Sequence, residues 1–177
     1  MNEYEFTLKF DVSRVKLNPA HHVEALAANG CDDATIGTGI PGRVALMFFR
    51  EAVSAEDAVM SALDDVTGAL PNAKLIEAVP DLVGITEIAE TVGKSRQNIR
   101  KLLVNCGSDA PLPVHEGSSS IWHLAPVLTW LRDAKQYQIN NELVDLANTN
   151  MQVNSACARI SVAPRIERSV EKLQVEA

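Results

Sequence analysis

Residues 82–105 read LVGITEIAETVGKSRQNIRKLLVN, and their spacing is the most informative feature of the chain. Ala89 is small enough for a second helix to cross close by, and Gly93 can adopt the positive φ of a tight turn. Ser95 can cap the following helix by accepting a hydrogen bond from an early backbone amide. Ile99 would then fill the gap between the two helices. These residues at these offsets predict two tightly crossed helices, a helix-turn-helix.

The second helix of this motif, predicted over 95–105, places apolar and polar residues on different faces. Ile99, Leu102 and Leu103 share one side through i, i+3 and i+4 spacing. The opposite side is basic, and no acidic residue occurs between positions 91 and 108. In the major groove, arginine can bind guanine, and glutamine or asparagine can bind adenine, each through two hydrogen bonds. The motif therefore predicts contacts with double-stranded DNA.

The polar residues of the motif have two expected roles. Recognition helices meet base edges with their first residues, whereas phosphate contacts position the protein without reading sequence. The expected base readers are Arg96, Gln97 and Asn98. The expected phosphate contacts are Lys94, Arg100 and Lys101, with Ser95 beside them at the helix start. The alternative is an ordinary amphipathic helix pair with a solvated basic face.

The segment after the motif predicts a hairpin and a closing helix. Residues 111–123 read PLPVHEGSSSIWH, in which apolar residues flank a Glu-Gly-Ser turn. LAPVLTWL follows, with Pro126 near the start of the helix, where proline is tolerated. Together, residues 82–131 resemble the winged domain of the MerR and AlpA/excisionase-like regulators. The whole chain is also similar to bacterial proteins known only as helix-turn-helix proteins.

The resemblance implies a winged helix-turn-helix domain at 80–132, with a wing at roughly 113–122. Trp122 and Trp130 would pack behind the wing. The DNA contacts of the family carry over to positions 95–101 and to wing residues His115, Ser118, Ser119 and Ser120. This wing departs from the family in being poor in Arg and Lys, which puts strong wing contacts in doubt.

Charge is unevenly divided along the chain. The net charge is −7, which is unusual for a DNA-binding protein. Residues 1–92 hold 15 acidic and 6 basic residues, whereas residues 93–177 hold 8 acidic and 10 basic residues. The acidity therefore belongs to the N-terminal part. We expect weak non-specific DNA affinity, since few phosphates can be neutralised at once.

The N-terminal part predicts a separate domain over residues 1–79. Strands are expected at 4–12, 34–39, 43–51 and 73–79. Helices are expected at 21–30 and after Ser54, with Gly68 ending the second helix. The order βαββαβ predicts a ferredoxin-like sandwich, so the chain as a whole is α+β. Because this fold serves many functions, dimerisation, effector binding and docking of a protein partner all remain open, with dimerisation or a partner favoured.

The residues that often carry chemistry form no reactive pattern here. His21-His22 is expected to lie on a solvated helix face, and the acidic pairs Asp32-Asp33 and Asp64-Asp65 at solvated loop and helix ends. We expect no catalytic residue, metal or cofactor, and no enzymatic activity. The widely spaced Cys31, Cys106 and Cys157, the absence of a signal peptide and the lack of a long apolar run predict reduced thiols, no membrane partner and a cytoplasmic location.

The C-terminal segment, 133–177, predicts a long helix that Pro164 ends. Its apolar positions step by four and three, the a/d spacing of a coiled coil, which would make this segment the dimerisation element. An equally consistent alternative is a helix folded back onto its own domain. The seam residues are Ile139, Leu143, Leu146, Asn150, Val153, Cys157 and Ile160.

The sequence thus predicts a homodimeric, cytoplasmic, sequence-specific DNA-binding protein, most simply a bacterial transcriptional regulator. One alternative is an excisionase-like architectural factor, which would insert apolar residues such as Leu112 or Ile121 between base steps. Another is a protein-interaction adaptor that acts through the acidic N-terminal domain.

Overall fold

The computed structural model describes residues 1–18, 21–105, 109–160 and 162–175. These residues form seven helices and two antiparallel sheets, so the chain is α+β. The elements are β1 (Asn2–Asp11), α1 (His22–Ala28), β2 (Ala34–Gly37), β3 (Arg43–Ala52), α2 (Ala55–Ala69), β4 (Lys74–Val79), β5 (Leu82–Val83), α3 (Ile85–Thr91), α4 (Arg96–Asn105), β6 (His115–Glu116), β7 (Ser120–His123), α5 (Leu124–Lys135), α6 (Asn141–Arg159) and α7 (Pro164–Val175).

The N-terminal half is a four-stranded sheet in the order β2-β3-β1-β4, and its elements follow one another as βαββαβ, as predicted. Alternation along β1 and β3 directs one set of side chains into a core shared with α1 and α2. The rings of Phe6 and Phe48, paired in register across β1 and β3, stack at 5.2 Å.

Two of the predicted helix ends were wrong. α2 passes through Gly68 and ends at Ala69, because the buried Ala69 and Leu70 hold the last turn against the core. α6 ends at Arg159, and Pro164 instead begins α7 at a position where its missing N–H has no helical partner to lose.

Arg50 is an inward-facing cation on β3 that joins three segments of this half. Its guanidinium contacts carboxylate oxygens of Asp33 and Asp65 at 2.8 Å and donates to the Gly30 carbonyl and the Ser61 hydroxyl. Burial opposes its charge, but the hydrogen bonds to Asp33 and Asp65 outweigh burial and raise the pKa of Arg50. The prediction that these two aspartates are merely solvated was wrong, because they neutralise a buried cation.

His22 is another exception to the predicted surface. It is buried, and its Nε2 lies 3.1 Å from the carbonyl oxygen of Leu17, whereas His21 is exposed. The prediction of a solvated pair was therefore wrong for His22, because α1 turns this side chain toward the preceding loop.

The C-terminal half contains a second core beneath a three-stranded sheet in the order β5-β7-β6. Val83 of β5 pairs with Trp122 of β7, and Trp122 is buried and donates its indole N–H to the Pro111 carbonyl at 3.1 Å. The short pairings of β6 with β7 form the predicted hairpin, and α5 closes the core behind it.

α6 connects the two halves. The Asn154 side chain bonds both the backbone N–H and the carbonyl of Ala78 in β4, and it also donates to the Asp81 carboxylate at 2.8 Å. Asp81 is fully buried, and its Oδ1 lies 2.5 Å from Nδ1 of His123. His123 is the last residue of β7 and directly precedes α5. One side chain on α6 therefore links the edge of the first sheet to the second domain.

The structure packs the predicted heptad seam inside the chain, as in the alternative of a helix folded back. Leu146 and Asn150 are buried, and Asn150 donates to the Pro80 carbonyl at 3.2 Å. Ile139 precedes α6, and Ile160, which caps its end, is 87% exposed. The partly buried members are Ile139, Leu143, Val153 and Cys157. A coiled coil through this seam would require α6 to leave both cores.

Within the described ranges, no helix is long and apolar enough to cross a bilayer.

Candidate nucleic-acid interface

The turn between α3 and α4 has the geometry that its glycine predicts. Gly93 has φ +63°, a left-handed backbone conformation that residues with a Cβ rarely adopt. The N–H of the following Lys94 donates to the carbonyl of Ala89 at 2.8 Å. At the start of α4, Ser95 Oγ accepts from the N–H of Asn98 at 3.2 Å, which confirms the predicted cap.

The two helices meet through the residues whose offsets predict their crossing. Ala89 is 3% exposed and Ile99 is fully buried, so the small and the aliphatic residue face each other's helix in the second core. At the start of α3, the Glu87 carboxylate accepts from the Gly84 N–H at 2.7 Å. These contacts fix the orientation of α4 relative to the rest of the domain.

The polar residues of α4 fall into three groups around the helix. Because Ile99 and Leu103 face the core, the 100° step per residue places Gln97 and Lys101 at the centre of the exposed face. Arg96 and Arg100 lie one turn apart on the flank toward the hairpin. The third group, on the opposite flank, contains Asn98 beside Lys94 of the turn.

Tyr137, which sequence reasoning missed, holds this third group. Its hydroxyl donates to Oδ1 of Asn98 at 3.0 Å, and the ammonium of Lys94 lies 5.6 Å from the centre of its ring. Tyr137 follows α5, where Gln136 takes φ +58° and its backbone ends the helix. Nothing in the spacing of residues 82–105 indicates this contact, because it comes from a loop beyond the predicted domain.

A groove of about 500 Å³ separates α4 from the hairpin. Arg96 and Arg100 line one wall, and Ser118, Ser119 and Ser120 line the other. The start of α3 closes one side of the groove and contributes the acidic Glu87, whose carboxylate accepts from the Gly84 N–H. Cationic and hydroxyl groups that face each other across an open groove can both bind phosphate oxygens, the arginines through charge and the serines through hydrogen bonds.

The remaining wing residue, His115, lies apart from this groove. A Cβ at Gly117 would come within 2.8 Å of Nε2 of His115, so the exposed imidazole ring lies against the hairpin turn and would have to move for a larger residue. His115 is exposed, as are Ser118 and Ser119, whereas Ser120 is half-buried. Of the four predicted wing contacts, the structure therefore brings the three serines to α4 and leaves His115 on the hairpin.

The described residues contain no group of three or more His, Cys, Asp or Glu side chains placed to hold a metal ion. Cys31 is buried and Cys157 is half-buried, both as free thiols, while Cys106 lies outside the described residues. Burial, reinforced by the nearby Asp65 carboxylate, raises the pKa of the Cys31 thiol to about 11, which keeps it protonated.

Comparison of the chain with protein-family models, with curated proteins and with solved structures found no match.

Proposed function

We propose that the chain binds double-stranded DNA with sequence specificity and acts as a transcriptional regulator. The observation that carries the proposal is the exposed surface of α4. Gln97 and Lys101 lie opposite its buried apolar face, Arg96 and Arg100 lie on one flank, and α4 itself contains no acidic residue. A helix with such a face, held at a fixed angle by a second helix, fits the width of the major groove.

We also propose a fold type for each half of the chain, as the sequence predicts. The strand order β2-β3-β1-β4, with two helices on one face, supports a ferredoxin-like N-terminal domain. The tight turn between α3 and α4, followed by a hairpin and a closing helix, supports a winged helix-turn-helix over residues 80–132.

The three groups on α4 refine the expected roles. Gln97 is the proposed base reader, with Lys101 beside it at the centre of the groove-facing surface. Arg96 and Arg100 face the serine wall, so a DNA strand would pass between α4 and the hairpin. The proposed phosphate contacts are these two arginines and Lys101. Asn98, held by Tyr137, is pre-oriented rather than free, which reduces the entropy lost when it meets a base.

The test is recovery of fragments of genomic DNA on the purified full chain, compared with the variant Arg96→Ala/Arg100→Ala. A matched control is Arg14→Ala/Lys16→Ala, which removes the same charge from exposed positions before α1. We expect a common sequence motif with the parent and the control, and no enrichment with the Arg96/Arg100 variant. Enrichment that is the same for all three proteins would refute the assignment of the groove.

A further inference from the structure

The four-stranded sheet has one open face. α1 and α2 pack on the other face, and the outward side chains of β3 are Arg43, Ala45, Met47, Phe49 and Glu51. At the middle of this open face Met47 is 36% exposed and Phe49 is 41% exposed. Ile76 of β4 is 46% exposed. Clustered apolar side chains on a folded sheet indicate a surface that another molecule covers.

The residues along β3 are arranged symmetrically about Met47. The large Phe49 lies two residues after Met47, and the small Ala45 lies two residues before it. Glu51 lies four residues after Met47, and Arg43 lies four residues before it. β1 repeats this order only next to Thr7, the register partner of Met47: Glu5 lies toward the Phe49 end and Lys9 toward the Ala45 end, whereas Glu3 and Asp11, four residues away, are both acidic.

A cleft of about 420 Å³ lies over Ala45. Glycine and alanine form its floor, at Gly37 and Ala45, which are register partners across β2 and β3. Ile40 and Ile76 provide apolar walls, and the charged side chains of Lys9, Arg43 and Glu77 also line the cleft. The part of the cleft over Ala45 is therefore apolar. It lies about 7 Å from Met47 along the strand, as far as the projecting ring of Phe49 lies on the other side.

We propose that a second copy of this chain packs on this face as a two-fold dimer. When two identical sheets pack face to face about an axis in the interface and perpendicular to the strands, each strand lies over itself in the opposite direction. An axis over Met47 then places Phe49 of each copy in the cleft over Ala45 of the other. Large side chains meet small ones twice, which is how packed layers interdigitate.

The same axis pairs opposite charges along β3 and beside Thr7 of β1. Glu51 of one copy lies over Arg43 of the other, and Glu5 lies over Lys9, which also contacts Glu77 of its own chain at 2.8 Å. Glu3 lies over Asp11, so the ends of β1 bring like charges together. An axis parallel to the strands would instead place Glu51 over Glu51, so the charges of β3 favour the antiparallel arrangement. The start of α6 adjoins the Glu5 end of this face, where Glu5 and Thr7 line a pocket with Glu142 and Leu143. Association can be measured without DNA.

The experiment is sedimentation velocity of the full chain across a wide range of concentration, with Phe49→Asp as the disrupting variant. Its matched control is Met60→Asp, which changes a side chain of similar exposure on α2. We expect the parent and Met60→Asp to form dimers and Phe49→Asp to be monomeric, with circular dichroism showing that all three are folded. A parent that stays monomeric overturns the proposal and leaves a different protein as the molecule that covers this face. A Phe49→Asp variant that dimerises like the parent also overturns it.

A charge exchange tests the direction of the two copies. Glu51→Arg and Arg43→Glu should each weaken association by about tenfold, because each creates like-charge contacts at both ends of the interface. The double variant Glu51→Arg/Arg43→Glu restores opposite charges across the axis and should recover most of the parent affinity. A double variant that is weaker than either single variant would exclude the antiparallel arrangement.

Discussion

The salt dependence of DNA binding offers a quantitative test of the groups on α4. Three cations, Arg96, Arg100 and Lys101, lie on or beside its exposed face. If each neutralises one phosphate, the logarithm of the binding constant for one protomer falls with the logarithm of salt at a slope of about −2.7. Affinity should then drop about 40-fold between about 50 and about 200 mM salt.

Arg100→Ala removes one of these phosphate contacts. We expect the slope to become about −1.8, and the loss over the same salt range to shrink to about 12-fold. Fluorescence anisotropy with a labelled duplex at several salt concentrations measures both values. Arg14→Ala is the control, because it removes an equal charge from an exposed position before α1.

Gln97→Ala should behave differently from Arg100→Ala. The parent slope should remain, since no charge is lost, while discrimination at one base pair falls by about 1–3 kcal/mol. The reasoning is refuted if Arg100→Ala keeps the parent slope, or if Arg14→Ala shares its loss. It is also refuted if Gln97→Ala changes the slope while leaving base preference intact.

Three further predictions concern stability and reactivity. Gly93→Ala should lower the free energy of unfolding by about 1–2 kcal/mol in urea, because φ is +63° there, whereas Gly39→Ala, with open space around its Cβ position, should be nearly neutral. Equal effects would contradict the strain argument. Asn154→Ala should cost about 1–3 kcal/mol by leaving the edge of β4 unbonded, and the exposed Asn148→Ala should cost little; a neutral Asn154→Ala would mean that water replaces the side chain. Cys31 should resist alkylation in the folded chain up to a pH near its pKa of about 11 and react after unfolding, as followed by peptide mass spectrometry; rapid labelling of the folded chain at neutral pH would show that the thiol is accessible.

The elements that depend on neighbours in sequence could be predicted from the sequence. Ala89, Gly93 and Ile99 lie within eleven consecutive residues of the chain, so their spacing is sufficient to predict that α3 and α4 pack together. The alternation of β1 and β3 likewise identifies their inward faces. That alternation also places Arg50 in the core, a signal from which its two aspartate partners could have been sought.

Contacts between distant segments could not be predicted in the same way. The a/d spacing of α6 is the same whether its partner is a second chain or the core of its own, so periodicity alone does not decide where Leu146 is buried. Tyr137 reaches Asn98 from a loop that carries no motif. Which serines of the hairpin face α4 depends on how the hairpin folds over the helix, and composition gives only their presence.

The contacts of α6 bear on how this protein can be divided. The helix packs on β4 and α2 of the first half and on α5 of the second, so removing either half exposes apolar surface on what is left. The boundary at residues 79–80 lies between the four-stranded and the three-stranded sheet, yet we expect the chain to unfold in one cooperative transition. A fragment beginning at residue 80 would leave Leu146 without its core and would remove both bonds of Asn154 to Ala78, so its behaviour would describe a damaged protein rather than an isolated module.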